Sequence, residues 1–118
     1  APQPQSTALN RLLVRDGDKT IVLAVRDIQW VGAANNYLEV HTARATFLVR
    51  KTMTELDAEL PPSQFVRIHR STLVSVRQIR MLRPLFNKDH AVTLLDGTEL
   101  VASRTYYDRL IAVLTAQE

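Results

Sequence analysis

Arginine is concentrated in a stretch of the chain that carries no acidic residue. No aspartate or glutamate lies between Glu59 and Asp89, and the same stretch contains six cations: Arg67, Arg70, Arg77, Arg80, Arg83 and Lys88. The planar guanidinium group donates paired hydrogen bonds that match phosphate oxygens and the edge of guanine. A solvated strand face that happens to be basic would explain any one of these cations, but a run of this length favours an anionic partner.

Three shorter segments carry side chains that could contact a polyanion. Residues 32–37 predict a small-residue loop, in which an Asn amide could pair with adenine or could simply adopt a left-handed turn. Residues 67–71 place charges around one aliphatic side chain. Ser103 and Arg104 stand at a predicted helix start, where N–H groups and a cation together can hold an anion. Each signal is weak alone, but together they predict several loops that reach a polyanion without a recognition helix.

Residue types that would support catalysis or bind a metal are sparse. The chain has three histidines, His41, His69 and His90, and no cysteine, and no His, Asp or Glu cluster has metal-ligand spacing. Its three glycines form no phosphate-binding loop, and no Gly-x-Ser-x-Gly nucleophile elbow is present. A phosphotransfer role for His69 would need a second acid or base fixed beside it. We therefore predict that the chain is not an enzyme and binds no cofactor or metal.

Composition predicts one domain preceded by a linker. The chain has 118 residues, of which 46% are hydrophobic and 23% charged, with a net charge of +3, and this length can bury a working core. Residues 1–8 are rich in Pro and Gln and predict a linker, which leaves residues 9–118 as the domain. No run approaches the ~18 apolar residues of a membrane span. The absence of cysteine and of a signal peptide favours the cytoplasm, and the first residue, alanine, suggests a missing upstream part.

Short β-branched runs between turn residues predict a mostly-β domain with two short helices. Strict alternation from Tyr37 to Thr42 is a strand pattern, and turn residues at 16–19, 87–89 and 96–97 predict hairpins. The first helix begins at a capping box, Thr52 to Glu55, and ends at Pro61. The second runs from about residue 104 to 114, with an apolar stripe that we expect to dock on the core. No internal repeat is visible in the sequence.

A series of motifs along nearly the whole chain agrees in order and spacing with the pattern of a known family. The sequence resembles the LytTR family of bacterial DNA-binding domains over about residues 9–114. The motifs lie at residues 28–31 (Ile-x-Trp-Val), 34–42 (Ala-Asn-Asn-Tyr-Leu-x-Val-His-Thr), 47–50 (Phe-Leu-Val-Arg), 53–61, 65–74 (Phe-Val-Arg-Ile-His-Arg-Ser-x-Leu-Val), 86–89 (Phe-Asn-Lys-Asp), 95–98 (Leu-Asp-Gly-Thr) and 101–104 (Val-x-Ser-Arg). It departs from the family pattern at Gly32, where an acid is usual, and at Asn35, where glycine is frequent.

This resemblance implies a fold, a partner and a set of contact residues. The implied fold has about ten short strands in small antiparallel sheets, and the implied mechanism inserts loops into successive major grooves of double-stranded DNA, which bends. The family's base-reading positions fall on Asn36, Arg70 and Arg104. The contacts to the DNA backbone that the resemblance implies are Lys51, His69, Asn87, Lys88 and Ser103.

The resemblance also implies how such a domain is used. Members of the family usually follow a receiver domain, and sometimes another sensor, in a bacterial transcription regulator of a two-component system. They bind paired direct repeats as two copies. We expect this domain to be a monomer off DNA and to make no membrane contact.

Two other functions stay open at the sequence level. A single-stranded nucleic-acid binder would stack bases on exposed aromatic rings, but the aromatic residues are few and most occupy positions typical of a core. A protein-interaction module with a basic face would show neither sequence preference nor a steep salt dependence on DNA. Competition between duplex and single strand separates the first alternative from duplex binding.

Overall fold

Short strands follow one another because turn residues recur every few positions along the chain. The computed structural model describes residues 10–116, which form ten strands and two α-helices. In chain order these are β1 (Arg11–Asp16), β2 (Lys19–Ala24), β3 (Ile28–Ala34), β4 (Tyr37–Thr42), β5 (Thr46–Val49), α1 (Met53–Glu59), β6 (Phe65–His69), β7 (Thr72–Ser75), β8 (Ile79–Pro84), β9 (His90–Leu94), β10 (Glu99–Ala102) and α2 (Arg104–Ala116). Gly17 and Gly97 take the left-handed conformations, with φ of 66° and 93°, that two of the predicted hairpin turns require.

The strands form three antiparallel sheets within the described part of the chain. Their orders are β1-β2, β5-β4-β3-β7-β6 and β10-β9-β8. Sequential hairpins build each sheet, and the pairing of β3 with β7 joins distant parts of the chain. The mostly-β prediction of about ten strands and two helices is confirmed. The linker predicted at residues 1–8 lies outside the described residues.

Two hydrophobic clusters hold the sheets and helices together. The first cluster includes Leu56 and Leu60 of the α1 region, and the second includes Leu110 of α2. Leu110 is fully buried, with Tyr107 and Leu114 packed against the same cluster. The apolar stripe of α2 therefore docks on the core, as the sequence predicts. Burial of this kind is the main stabilising term in a domain of this size.

The first helix begins at the predicted capping box. The Oγ1 of Thr52 accepts a hydrogen bond from the backbone N–H of Glu55 at 3.0 Å, and the N–H of Thr52 donates to the Glu55 carboxylate at 2.8 Å. The bond donated by the Thr52 N–H favours the ionised carboxylate, so the pKa of Glu55 is lowered. The last helical residue is Glu59, directly before Leu60 and Pro61, which agrees with the predicted end.

The order of elements repeats between the two halves of the domain. Each half contains a hairpin, a 3-10 turn, three further strands and a helix, and the second half has an additional 3-10 turn, Phe86–Lys88, between β8 and β9. The 3-10 turns, Val25–Asp27 and Val76–Gln78, have nearly the same flanking backbone angles, and a register shift follows each of them. The spacing from Val25 to Val76 equals the spacing from Thr52 to Ser103. Thr52 directly precedes α1, and Ser103 directly precedes α2. The sequence shows no visible repeat, so what recurs is the order and spacing of the elements.

A close approach of Trp30 explains why glycine occupies position 32. A Cβ at this position would lie 2.8 Å from Cζ3 of the Trp30 ring, which is itself stacked on His41 with centroids 3.9 Å apart. We expect Gly32→Ala to displace the ring and to lower the free energy of unfolding by about 1–3 kcal/mol, measured by denaturant titration. The matched control is Ala33→Ser at an exposed position of the same strand. Unchanged stability and tryptophan fluorescence in Gly32→Ala would show that the Trp30–His41 stack can accommodate the added methyl group without loss of free energy of unfolding.

Candidate nucleic-acid interface

The first predicted contact segment is a tighter turn than the sequence suggests. Residues 32–34 continue β3 and Tyr37 begins β4, so only Asn35 and Asn36 form the turn. Asn35 has a φ of 55°, the left-handed conformation that Asn tolerates better than most residues. Asn35 therefore shapes the turn, while Asn36, the predicted base-contacting residue, is exposed at its tip.

A groove runs from this turn to the start of α1. Its lining includes Asn36, Tyr37, Arg50 and Lys51. Arg50 lies over the Tyr37 ring, 5.6 Å from its centroid, so an exposed cation stands beside the turn. Sequence reasoning missed Arg50, although its place directly after a strand and before a helix cap could have indicated it. Lys51, a predicted backbone contact, forms an ion pair with Glu59 and would have to leave it to reach a phosphate.

The hairpin between β6 and β7 presents the second predicted base contact. His69 pairs with Thr72 across the strands, which leaves Arg70 and Ser71 in the turn, with Arg70 exposed. The His69 Nδ1 accepts from the backbone N–H of Ser71 at 3.2 Å, and the Ser71 Oγ lies 2.9 Å from the same nitrogen. An accepting Nδ1 leaves the ring proton on Nε2. His69 thus braces the turn and keeps an N–H that could donate to an anion.

Arg67 supports this hairpin from within. Its guanidinium donates to the carbonyl oxygens of Arg70 at 2.6 Å and of His69 at 3.4 Å, and to the Thr54 hydroxyl at 3.3 Å. The same group lies 5.6 Å from the ring centroid of Tyr106 in α2. Arg67 is therefore committed to internal contacts rather than to the basic surface that the sequence suggests. Arg83 is also engaged, in a 3.2 Å ion pair with Glu99.

The third predicted contact region joins the β8–β9 turn to the start of α2. The Asp89 carboxylate accepts the backbone N–H of Arg104 at 3.1 Å, where a negative charge favours a helix start. Asn87 and Lys88 have φ of 61° and 68°, and both are exposed, as is Arg104. Ser103, predicted as the cap, accepts at its backbone oxygen from the N–H of Tyr106 at 3.0 Å. The cap contribution of Asp89 was missed because it comes from a distant turn.

Hydrogen bonds attach the first and third regions to the central hairpin. The N–H of Ala33, near the Asn36 turn, donates to the Ser71 carbonyl at 2.9 Å. The N–H of Ser103 donates to the carbonyl of Ile68 in β6 at 2.8 Å. Arg67 adds its contacts to Thr54 of α1 and to Tyr106 of α2. The structure therefore brings together three segments that are far apart in sequence, around one hairpin.

The two remaining histidines belong to packing contacts elsewhere in the domain. His41 stacks on Trp30, and burial lowers its pKa although Glu39, 3.6 Å away, opposes this shift. His90 stacks on Tyr107 with centroids 3.7 Å apart. Residues 10–116 contain no group of three or more His, Asp or Glu side chains that could hold a metal ion. No helix among them has the length and apolar character needed to cross a bilayer.

Comparison with known sequences decides the family. The profile of the LytTr DNA-binding domain matches residues 18–115. The chain belongs to the LytTr DNA-binding domain family. Membership confirms the resemblance inferred from the motifs and agrees with the prediction that the chain is not an enzyme.

Curated relatives agree with the assignment to the LytTr family, and a solved structure shows the same fold. The sensory transduction protein LytT of Bacillus subtilis is 29% identical over 105 residues, which are 89% of this chain and 44% of that protein. The transcriptional regulatory protein YpdB of Escherichia coli K12 is 36% identical over 84 residues, 71% of this chain and 34% of that protein. A LytTr DNA-binding domain from Bacillus cereus superposes with a TM-score of 0.81 at 20% identity, covering 91% of this chain and 98% of that one. This LytTr chain thus spans less than half the length of these two relatives.

Proposed function

We propose that this LytTr domain binds double-stranded DNA sequence-specifically, as the output domain of a bacterial transcription regulator. The observation that supports this proposal is the attachment of two exposed contact regions to the β6–β7 hairpin. The two regions and the hairpin each present a side chain suited to a base edge: Asn36 to adenine, and Arg70 and Arg104 to guanine. Because these residues lie on turns and at a helix start, we infer that turns read successive major grooves.

Contacts to the DNA backbone would position these base-reading groups. The proposed contacts are Lys51, His69, Asn87, Lys88 and Ser103. His69 would donate through its Nε2–H, because its Nδ1 is bonded to Ser71. Lys51 would exchange Glu59 for a phosphate. Phosphate contacts of this kind add affinity that depends on salt but carry no sequence information.

The context of the domain is part of the same proposal. The relatives are named as sensory transduction and transcriptional regulatory proteins and are longer than this chain. We infer an upstream receiver or sensor domain, a cytoplasmic location, and binding of two copies to a paired direct repeat. We expect a monomer in the absence of DNA.

Selection of bound duplexes from a random DNA pool tests the proposed function. The winning duplex is then titrated against a scrambled duplex and a single strand at two salt concentrations. Enrichment of a direct repeat, bound more tightly than scrambled duplex at both salts, supports sequence-specific regulation. Preference for the single strand would favour a stacking mechanism. The absence of any motif, with binding lost at higher salt, would favour a protein-interaction module.

Lys88 offers a test of the backbone contacts. We expect Lys88→Ala to weaken binding to selected and scrambled duplex alike and to reduce the slope of log K against log salt by about one, because one phosphate contact is lost. Binding isotherms at several salt concentrations measure both effects. The exposed Lys19, in the β1–β2 hairpin, is the matched control. A loss confined to the selected duplex would assign Lys88 to a base instead.

A further inference from the structure

The turn between β8 and β9 presents an aromatic ring to solvent. Phe86 is 86% exposed, the largest value among the large apolar side chains of residues 10–116. Phe86 lies directly before the turn predicted at residues 87–89. An isolated exposed apolar residue is common on protein surfaces, so its surroundings decide whether it has a role.

The backbone of this turn is well defined. The N–H of Leu85 donates to the Asp89 carbonyl at 2.8 Å, and the N–H of Asp89 donates to the Phe86 carbonyl at 3.2 Å. The equivalent turn of the first half contains only Asn35 and Asn36, whereas this one comprises residues 85–89. The longer turn places the Phe86 ring outside the sheet, where it adds nothing to the two hydrophobic clusters.

The chemistry around the ring indicates its partner. Lys88 follows it in the same turn, and the Asp89 carboxylate binds the N–H of Arg104, the proposed base-reading residue of α2. An exposed apolar ring in the same turn as Lys88, a turn that is joined through Asp89 to the helix start carrying the exposed Arg104, fits a polyanion that also offers an apolar group. In the major groove of DNA that group is the C5-methyl of thymine.

We propose that Phe86 reads a thymine methyl group next to the base contacted by Arg104. This inference rests on the proposed function, because it needs a duplex bound at the start of α2. It makes Phe86 a specificity-determining residue, in a turn where the sequence predicts backbone contacts alone. The ring would discriminate by burying a methyl group that no other base carries in that groove.

Replacement of thymine by deoxyuridine tests this proposal, since it removes the methyl group and leaves base pairing intact. Each thymine of the selected duplex is replaced in turn. We expect wild-type affinity to fall about fourfold at one position, as for loss of one buried methyl group. Phe86→Ala should bind the unmodified duplex about tenfold more weakly and should no longer distinguish thymine from deoxyuridine there. Leu95→Ala, at another exposed apolar residue, is the control and should retain the distinction.

Other outcomes would overturn the inference without touching the proposed function. In the first, Phe86→Ala binds the selected duplex with the affinity of the wild type. In the second, this variant responds to each deoxyuridine replacement as the wild type does. If Phe86→Ala changed only the sedimentation of the DNA-free protein, relative to the wild type, and left DNA binding unchanged, Phe86 would instead be a contact between copies. If the wild-type domain selects no duplex at all, the proposed function itself fails.

Discussion

Arg70→Ala should weaken binding to the selected duplex by about 1–3 kcal/mol, or roughly 5- to 150-fold in Kd, and relax base preference at one position. Its guanidinium is exposed at the tip of the β6–β7 turn, and the turn itself is held by Arg67 and His69. Truncation therefore removes a base contact and leaves the hairpin in place. Competition titrations with duplexes changed at single positions measure both effects.

Two controls limit the interpretation of Arg70→Ala. Arg80→Ala removes an exposed arginine of the same acid-free stretch and should leave base preference unchanged. Thermal unfolding of Arg70→Ala should match that of the wild type, because the side chain adds no burial. Equal losses on selected and scrambled duplex would show that Arg70 contacts phosphate and not a base.

Arg67→Gln should reduce sequence preference by a different route, through loss of hairpin geometry. The glutamine cannot span the carbonyls of His69 and Arg70 while contacting Thr54, so those hydrogen bonds are broken. Hydrogen bonds from a charged donor contribute about 1.5–3 kcal/mol each, and we expect a loss of this order in the free energy of unfolding. The ratio of selected to scrambled affinity should fall about tenfold, since a displaced turn misplaces Arg70.

The salt dependence separates a positioning role for Arg67 from a phosphate contact. If Arg67 only positions the turn, the slope of log K against log salt stays at the wild-type value. Arg67→Lys should not restore specificity, because a single ammonium lacks the planar fork that reaches two carbonyl groups. A slope reduced by about one, with unchanged unfolding, would contradict the positioning role.

Local chemistry was sufficient to predict much of the fold. The capping box at Thr52, the alternation from Tyr37 to Thr42, and the hairpin turns at Gly17 and Gly97 all depend on neighbours within a few residues. The apolar stripe of α2 was equally visible, because helical periodicity identifies a buried face. The pairing of β3 with β7 was not predictable, because the two strands are distant in sequence and local patterns do not report contacts between distant segments.

The residue types of the candidate site were predictable, but the sequence did not show which of these side chains are exposed and which make internal contacts. Arg67 and Arg70 look alike in sequence, but Arg67 contacts Thr54 and Tyr106, which are distant in the chain, as well as the carbonyl groups of its own hairpin. Asp89 caps α2 from a separate turn for the same reason. The exposure of Phe86 was not predicted, because it depends on turn length, which the pattern of apolar residues does not report.

Comparison of the two halves shows that β8 is an edge strand where the equivalent strand, β3, is paired on both sides. In the first half, β3 pairs on its second side with β7, and Ala33 donates a backbone N–H to Ser71 there. In the second half the corresponding side of β8 is an open edge, and the residue in the place of Ala33 is Pro84. Proline has no N–H to donate, and the exposed Arg80 adds charge, so this edge resists the docking of another chain. Two copies bound to adjacent DNA sites, as proposed above, would therefore not join through this edge of β8 into a continuous sheet.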